Sequence, residues 1–227
     1  VDQGHTTFVT LSGTDAENNN LTFIITALPS DGDLYISHPE GTAANNYLTS
    51  PGQAHSFYAY HGNLRIKSTD LPKTVSSSNV VVYRHDNDNT NNTDSFQFKA
   101  NDGKDDSVSA ASISFDINRR PSSTTQDITV EGLGEQNITL TGTDLDGDTI
   151  GFILKRLPSH GALYDGTNTY PITQAQVDGD YEIQSNYLRY KNFVQESSDY
   201  IQIIPTNSGG LRGQTDTVNI TINVFIP

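Results

Sequence analysis

Apolar and polar residues alternate along much of this chain. Ile138 and Leu140 alternate with Asn137 and Thr139, and Phe96 and Phe98 flank Gln97. Ile113, Phe115 and Ile117 alternate with Ser114 and Asp116. Val218, Ile220, Ile222 and Val224 alternate with Asn219, Thr221 and Asn223. A period of two places apolar side chains on one face of an extended segment, so these stretches predict antiparallel strands with one buried face. No stretch holds a 3.6-residue period long enough for a full helix; only the TQAQ segment at 173–176 suggests a helical turn.

Turn residues separate the strands and occur in the same order twice. Residues 9–35 align without a gap on 138–164, and 13 of 27 positions are identical. The alignment superposes Asn18-Asn19-Asn20 near Asp146-Gly147-Asp148, and Pro29-Ser30-Asp31-Gly32 on Pro158-Ser159-His160-Gly161. Asn101-Asp102-Gly103 and Ser208-Gly209-Gly210 occupy matching hairpin tips. The predicted order in each copy is a first strand, a second (8–12, 137–141), a turn, and a third (21–27, 149–155). A second hairpin and an irregular segment follow, then a strand at 80–83 or 187–190, and a final hairpin. Seven or so short strands per copy predict an all-β fold of two tandem Greek-key β-sandwiches. The domains are 1–118 and 119–227. The polar, proline-bearing segment at 118–125, NRRPSSTT, reads as a short linker.

Composition narrows the function. The chain of 227 residues has no cysteine, which excludes disulfides and thiolate metal sites. Its formal net charge of −14 disfavours nucleic acid and anionic lipid and favours cations. No apolar run reaches membrane-spanning length, so this segment does not insert directly into a membrane. The first copy starts partway through its first strand, with Val1 aligned on Val130, which reads as an excerpt of a longer array.

The ordered motifs GTDLDGDTI (142–150), LPSDGDLY (28–35), LPSHGALY (157–164), DSFQFKANDG (94–103) and NRRP (118–121) resemble known tandem repeats. These are the cadherin-like and immunoglobulin-like repeats of bacterial-type surface adhesins and the related chondroitin-sulfate-proteoglycan-type repeats. The resemblance covers almost the whole chain. The second copy departs from it at 197–210, SSDYIQIIPTNSGG, where the acidic hairpin tip is lost. The resemblance implies an extracellular, secreted or cell-surface setting. It also implies a non-catalytic structural or adhesive repeat of a surface or filament protein. Its partners would be neighbouring repeats of the same chain or identical subunits.

Four constellations are candidate sites. Asp144, Asp146 and Asp148 alternate through a glycine turn, a pattern that can aim oxygens at Ca²⁺ or serve as a hydrated Asx turn. Asp15 and Glu17 are the weaker counterpart. Asp86 and Asp88, with Asp102, form a second candidate calcium loop. Cadherin-type calcium between domains is disfavoured, because Arg119 and Arg120 stand where acidic groups would be needed. SFYAYHG (56–62), with Phe57, Tyr58 and Tyr60, occurs in the first copy alone and is a candidate glycan contact, the alternative function being a carbohydrate-binding module. Tyr35 and Tyr164 are repeat-equivalent and read as packing residues. Sequons at Asn20, Asn91, Asn137 and Asn219 are candidate glycosylation sites, although a chain this rich in Asn, Ser and Thr yields about that many by chance. No HExxH or GxSxG spacing is present, so the chain reads as no enzyme.

Overall fold

The computed structural model describes residues 1–36, 65–75, 79–87, 90–185, 187–194 and 198–223. The chain divides into two compact units, Val1–Asn118 and Arg119–Pro227. Unit 1 contains β1 (Thr6–Thr10), β2 (Thr22–Ala27), β3 (Gly32–Ile36), β4 (Lys73–Val75), β5 (Val80–His85), β6 (Thr93–Asn101) and β7 (Ala111–Asp116). They form two sheets, ordered β1-β5-β3 and β4-β2-β6-β7. From β1 to β6 successive strands alternate between the sheets, and β6–β7 closes as a hairpin, which is a Greek-key sandwich.

Unit 2 contains β8 (Ser122–Ser123), β9 (Gln126–Glu131), β10 (Glu135–Thr139), β11 (Gly142–Thr143), β12 (Ile150–Arg156) and β13 (Gly161–Asp165). A short helix α1 (Gln174–Asp178) follows, then β14 (Tyr181–Glu182), β15 (Tyr187–Asn192), β16 (Ser198–Asn207) and β17 (Asp216–Asn223). The sheets are β10-β15-β13 and β14-β12-β16-β17-β9, with a small β11-β8 pair. The helical turn expected at 173–176 is α1, where the Gln176 side chain accepts from the Thr173 N–H at 2.9 Å.

Alternation decides burial as expected. Along β6 the even positions Asp94, Phe96 and Phe98 are buried and the residues between them are exposed. In unit 1, Tyr83 stacks on Phe115 with ring centroids 3.9 Å apart, and Leu11, Ile25, Leu34 and Val81 are fully buried beside them. Unit 2 repeats this core with Ile138, Leu154, Leu163, Leu188, Tyr190 and Ile203.

One expectation needs correction. After the third strand of unit 2 no second hairpin forms among the described residues: β13 pairs with β15, and β14 pairs with β12. Strands that follow one another here belong to opposite sheets, so sequence neighbours cannot share a ladder. In unit 1 the segment expected to hold that hairpin lies largely outside the described residues. The linker segment 118–125 contributes to unit 2, where Ser122 and Ser123 pair with Thr143 and Gly142.

One device recurs in both units and explains most of the repeated letters. Asp94, buried at the start of β6, accepts from the backbone N–H of Ser30 at 2.9 Å and of Asp31 at 3.2 Å. It also accepts from the Tyr83 hydroxyl at 2.8 Å. In unit 2, Asp199 accepts from Ser159 N and His160 N at 2.8 Å each and from the Tyr190 hydroxyl at 3.2 Å. Burial, reinforced by the neighbouring carboxylate, pushes both tyrosine hydroxyls well above their ordinary pKa. The glycine of each turn leaves room for the tyrosine ring. A Cβ at Gly32 would lie 2.6 Å from Tyr83 Cε2, and one at Gly161 2.5 Å from Tyr190 Cε2.

Unit 2 buries a further carboxylate. Asp165, at the end of β13, accepts from Ser185 N at 3.0 Å, Gln184 N at 2.7 Å, the Tyr181 hydroxyl at 3.0 Å and the Ser185 hydroxyl. Burial raises its pKa, but the Ser185, Gln184 and Tyr181 hydrogen bonds outweigh it and hold the group below the usual carboxylate range. The Tyr181 hydroxyl is pushed up to about 12, by burial and then by Asp165. The aligned position in unit 1 is Ile36, so this clamp belongs to unit 2 alone.

Gly161→Ala is expected to destabilise unit 2 by about 1–3 kcal/mol through overpacking against Tyr190 and the Lys191 carbonyl. Asp199→Ala should cost at least roughly as much, since both turn N–H groups, the Tyr190 hydroxyl and the Tyr200 N–H lose their acceptor. Chemical denaturation of each variant reads both effects. A carboxylate with a depressed native pKa stabilises above its unfolded value and loses that contribution as pH falls through the native one. Unit 2 should therefore lose stability below about pH 4, and Asp165→Asn should flatten that dependence in urea titrations at neutral and acid pH.

Candidate functional site

The paired acidic turns lie between β1 and β2 in unit 1, and between β11 and β12 in unit 2. Asp15 Oδ1 accepts from Glu17 N at 3.0 Å and Asn19 N at 2.8 Å. Asp144 Oδ1 accepts from Asp146 N at 2.8 Å and Asp148 N at 3.3 Å. Asn18 and Gly147 take the same left-handed position, with φ of 61° and 83°. Asparagine tolerates that conformation and glycine has no side chain to oppose it, so NNN and DGD build one Asx turn from different letters.

The remaining oxygens of the second turn are also engaged. Arg119 grips Asp146 through Nε at 3.0 Å, Nη2 at 2.8 Å and its own backbone N–H at 2.6 Å, and reaches the Leu145 carbonyl at 2.8 Å. Burial raises the Asp146 pKa, but the Arg119 contacts outweigh it and the carboxyl lies below its usual range. Asp148 accepts from the Ser208 hydroxyl at 3.0 Å, and Asp144 Oδ2 accepts from Asn207 Nδ2 at 3.4 Å. Calcium needs six to eight oxygens converging at about 2.3–2.6 Å. These carboxylates share a turn but do not surround a point, and a guanidinium already neutralises the central one. The residues do not fit the ion. Among the described residues, no group of three or more His, Asp or Glu side chains converges as a metal site.

The second candidate calcium loop is dispersed. Asp86 N–H donates to the Asp31 carbonyl at 3.0 Å and its own carbonyl accepts from Gly4 N, which places it near the start of β6. Asp102 lies past the other end of that strand, where Oδ1 accepts from Lys104 N and Asp105 N at 2.8 Å each. Eight residue steps of extended chain separate the two ends, about 25 Å, so Asp86 and Asp102 cannot share an ion. The backbone hydrogen bonds from Asp105 and Lys104 hold Asp102 below its usual pKa. Asp88 lies outside the described residues. His85 is fully buried with Nδ1 against the Asp86 carbonyl, so it faces no solvent-borne ligand.

Phe57, Tyr58 and Tyr60 lie outside the described residues. Tyr35 is buried, with its hydroxyl donating to Asp33 at 3.2 Å, and Tyr164 lies under Arg189, whose guanidinium carbon is 4.7 Å from the ring centroid. Both pack within their own sheets. Asn20, Asn91, Asn137 and Asn219 are all exposed. Two of these amides are engaged, Asn91 with Asp31 and Asn219 with Asp127, each at 2.9 Å.

Unit 2 has two surface grooves large enough to hold a ligand. One, of about 480 Å³, runs over Lys155, Arg156, Ser159 and Gln174 and has no carboxylate in its lining. The other, of about 460 Å³, lies along β12 and has Glu182 as its single acid. Glycoside hydrolysis of the two-carboxylate kind needs a facing pair, and neither groove holds one. What sequence reading missed is Arg119 as the partner of Asp146. An arginine two residues before a proline in an apparent linker signals no contact until folding brings the turn to it.

No protein-family model matches the chain, and no curated protein matches it. Solved structures share the sandwich architecture at low similarity. Domains EC1–4 of Drosophila N-cadherin are 15% identical over 65% of this chain and 37% of their own, with a TM-score of 0.32. Extracellular domains 3–5 of Drosophila OTK are 10% identical over 98% of this chain and 58% of theirs, with a TM-score of 0.34. An endo-fucoidan hydrolase of glycoside hydrolase family 107, MfFcnA4, is 12% identical over 100% of this chain, which spans 28% of the enzyme, with a TM-score of 0.31. Likeness at this level carries no argument about activity. No helix among the described residues is long and apolar enough to cross a membrane.

Proposed function

We propose that this chain is a load-bearing, non-catalytic repeat pair of an extracellular surface or filament protein. The observation that carries this reading is the parallel ladder between β9 and β17. Six residues, Gln126–Glu131, pair in parallel with 218–223. The first long strand of unit 2 and its last thus lie side by side, pointing the same way. Tension applied through the two ends of the unit pulls these strands past each other. Every rung is then loaded together, instead of being opened one at a time from an end. Parallel rungs are evenly spaced along the strands, so the load is shared evenly. At the corresponding place in unit 1, Asn118 N donates to the Val1 carbonyl and Gln3 N to the Asn118 carbonyl.

Stiffness within unit 2 draws on side chains as well. The Asx turn is closed by its own backbone donors, and Arg119 ties Asp146 to the entry of the unit. This supports a repeat whose rigidity needs no bound ion.

Single-molecule stretching of the whole chain is expected to show unit 2 unfolding in a high-force event, because its β9–β17 ladder is loaded in shear. Unfolding of unit 2 at low force would sink the load-bearing reading. Thermal unfolding in about 2 mM calcium and in EDTA should coincide within roughly a degree, since a ligand shifts stability only by binding the native state. A rise of several degrees with calcium would overturn the ion-free reading of the acidic turns. Arg119→Ala should destabilise unit 2 by roughly 1–3 kcal/mol through loss of the charged hydrogen bonds to Asp146, measured by denaturant titration.

A further inference from the structure

The duplicated segment carries a marked difference in charge at one corner. Thr26, Ala27 and Asp31 of unit 1 align with Lys155, Arg156 and His160 of unit 2. Two neutral residues and an acid become two cations and a histidine, in a chain of formal net charge −14. The buried aspartate clamp accounts for the proline, serine and glycine that stay constant here, but it calls for none of the basic residues.

Both units bend at this point. Leu154 faces Ile203 and Arg156 faces Gln202, so Lys155 is the extra residue of a β-bulge in the β12–β16 ladder. The β2–β6 ladder shifts in the same place, between Ile25 and Ala27. Neighbours in a regular strand point to opposite faces. The bulge instead lets consecutive Lys155 and Arg156 border one groove of about 480 Å³, together with Ser159, Gln174 and Gln202. Unit 1 keeps the bulge, the serine and the glutamine, as Ser30 and Gln97, but has Thr26 and Ala27 in place of the cations.

The Arg156 guanidinium is oriented but only partly satisfied. It lies over the Tyr200 ring, 4.1 Å from the centroid, and the position of Tyr200 is Ser95 in unit 1. Nη2 donates to the Ser159 hydroxyl at 3.3 Å, whereas Nε is buried with no acceptor among the described residues. Stacking fixes the plane of the guanidinium, the pre-organisation that lets an arginine receive an oxyanion through paired N–H bonds. The carboxylates that reach this corner are themselves engaged. Asp180 is shared by Lys155 and Arg212, two cations to one acid. Asp178 accepts from Gln174 at 2.7 Å, and Asp199 accepts from the Ser159 and His160 N–H groups.

We propose that this groove binds an acidic polysaccharide through the sulfate or carboxylate group of one sugar residue. Arg156 receives the oxyanion, Lys155 adds positive charge, and Ser159, Gln174 and Gln202 hydrogen-bond the flanking hydroxyls. The lining suits a sugar, because a hydroxyl and two primary amides can each donate to and accept from alcohols. The chain's charge argues against the other polyanions. Nucleic acid and anionic membranes present dense charge that a strongly acidic surface repels, whereas one basic groove suffices for a single substituted sugar. The proposal goes beyond the load-bearing reading and uses no residue of the β9–β17 ladder.

The test uses the whole chain, isotope-labelled, and titrates it with a dextran sulfate oligosaccharide, an oligogalacturonate, unsubstituted dextran and sodium sulfate. At least one acidic sugar should shift the amides of Lys155, Arg156, Ser159 and Gln202, and leave those of Thr26, Ala27 and Gln97 in place. Which of the two binds separates a sulfate ligand from a carboxylate one. Binding should weaken as salt rises, and Arg156→Ala should weaken it at least about tenfold. The shift map of the unaltered chain decides the site even if that variant does not fold. Binding of neither acidic sugar, equal shifts in both units, equal binding by Arg156→Ala, or equal binding of unsubstituted dextran would overturn the proposal. So would sodium sulfate matching the oligosaccharide at equal sulfate concentration, since the site would then hold an adventitious ion only. A single-stranded oligonucleotide that shifts the same amides at lower concentration would overturn it in favour of nucleic acid. Any of these failures leaves the load-bearing reading intact, since that reading rests on the β9–β17 ladder of unit 2.

Discussion

A carboxylate is expensive to bury unless donors surround it, and both units surround theirs in the same way. Asp94 and Asp199 each collect two turn N–H groups and a tyrosine hydroxyl. The tyrosine belongs to the central strand of one sheet and the aspartate to a strand of the other. The bond therefore spans the sandwich and sets where the sheets meet. The turn that supplies the N–H groups leads into β3 or β13, so the same carboxylate also positions a third strand. Glycine at the end of that turn is required because the tyrosine ring occupies the space a Cβ would fill. Proline, serine, glycine, tyrosine and aspartate, scattered over about seventy residues in unit 1 and about forty in unit 2, thus serve one interaction.

The strongly negative charge of the chain acquires a different meaning in the folded molecule. Several of its carboxylates are taken up locally by backbone donors at Asx turns or by single cations. Asp15 and Asp144 close their own loops, Asp146 is held by Arg119, and Asp180 is shared by Lys155 and Arg212. Alternating acidic residues in a turn look alike whether they hold calcium or close a loop. The distinction lies in which way each oxygen points and what reaches it first.

The two units share a plan but differ in their polar ties. Unit 2 has a parallel ladder along β17, a clamp at Asp165 and a short strand pair at its entry. In unit 1 the position of Asp165 is taken by Ile36, so the clamp has no counterpart there. Repeats of one fold can therefore differ in such local ties while keeping equivalent cores, because a polar clamp at a strand end can be added or removed without disturbing the interior.

Strand identity and burial were legible in the sequence because a two-residue period maps directly onto the two faces of a strand, as along Asp94–Phe98 and Val218–Ile220. The duplication was legible because the same turn residues recur in order, and α1 because Thr173 and Gln176 carry their own capping signal. Strand partners were not legible. Whether β3 joins β4 or β5 depends on which sheet each strand enters, a property of three-dimensional closure and not of neighbouring residues. The role of Arg119 was hidden for the same reason: its carboxylate lies 27 positions away and meets it only once β8 and β11 pair. Local periodicity and turn chemistry determined the elements. Long-range pairing, which no short window of sequence contains, decided which strands share a sheet, which carboxylates close loops and which pair with an arginine.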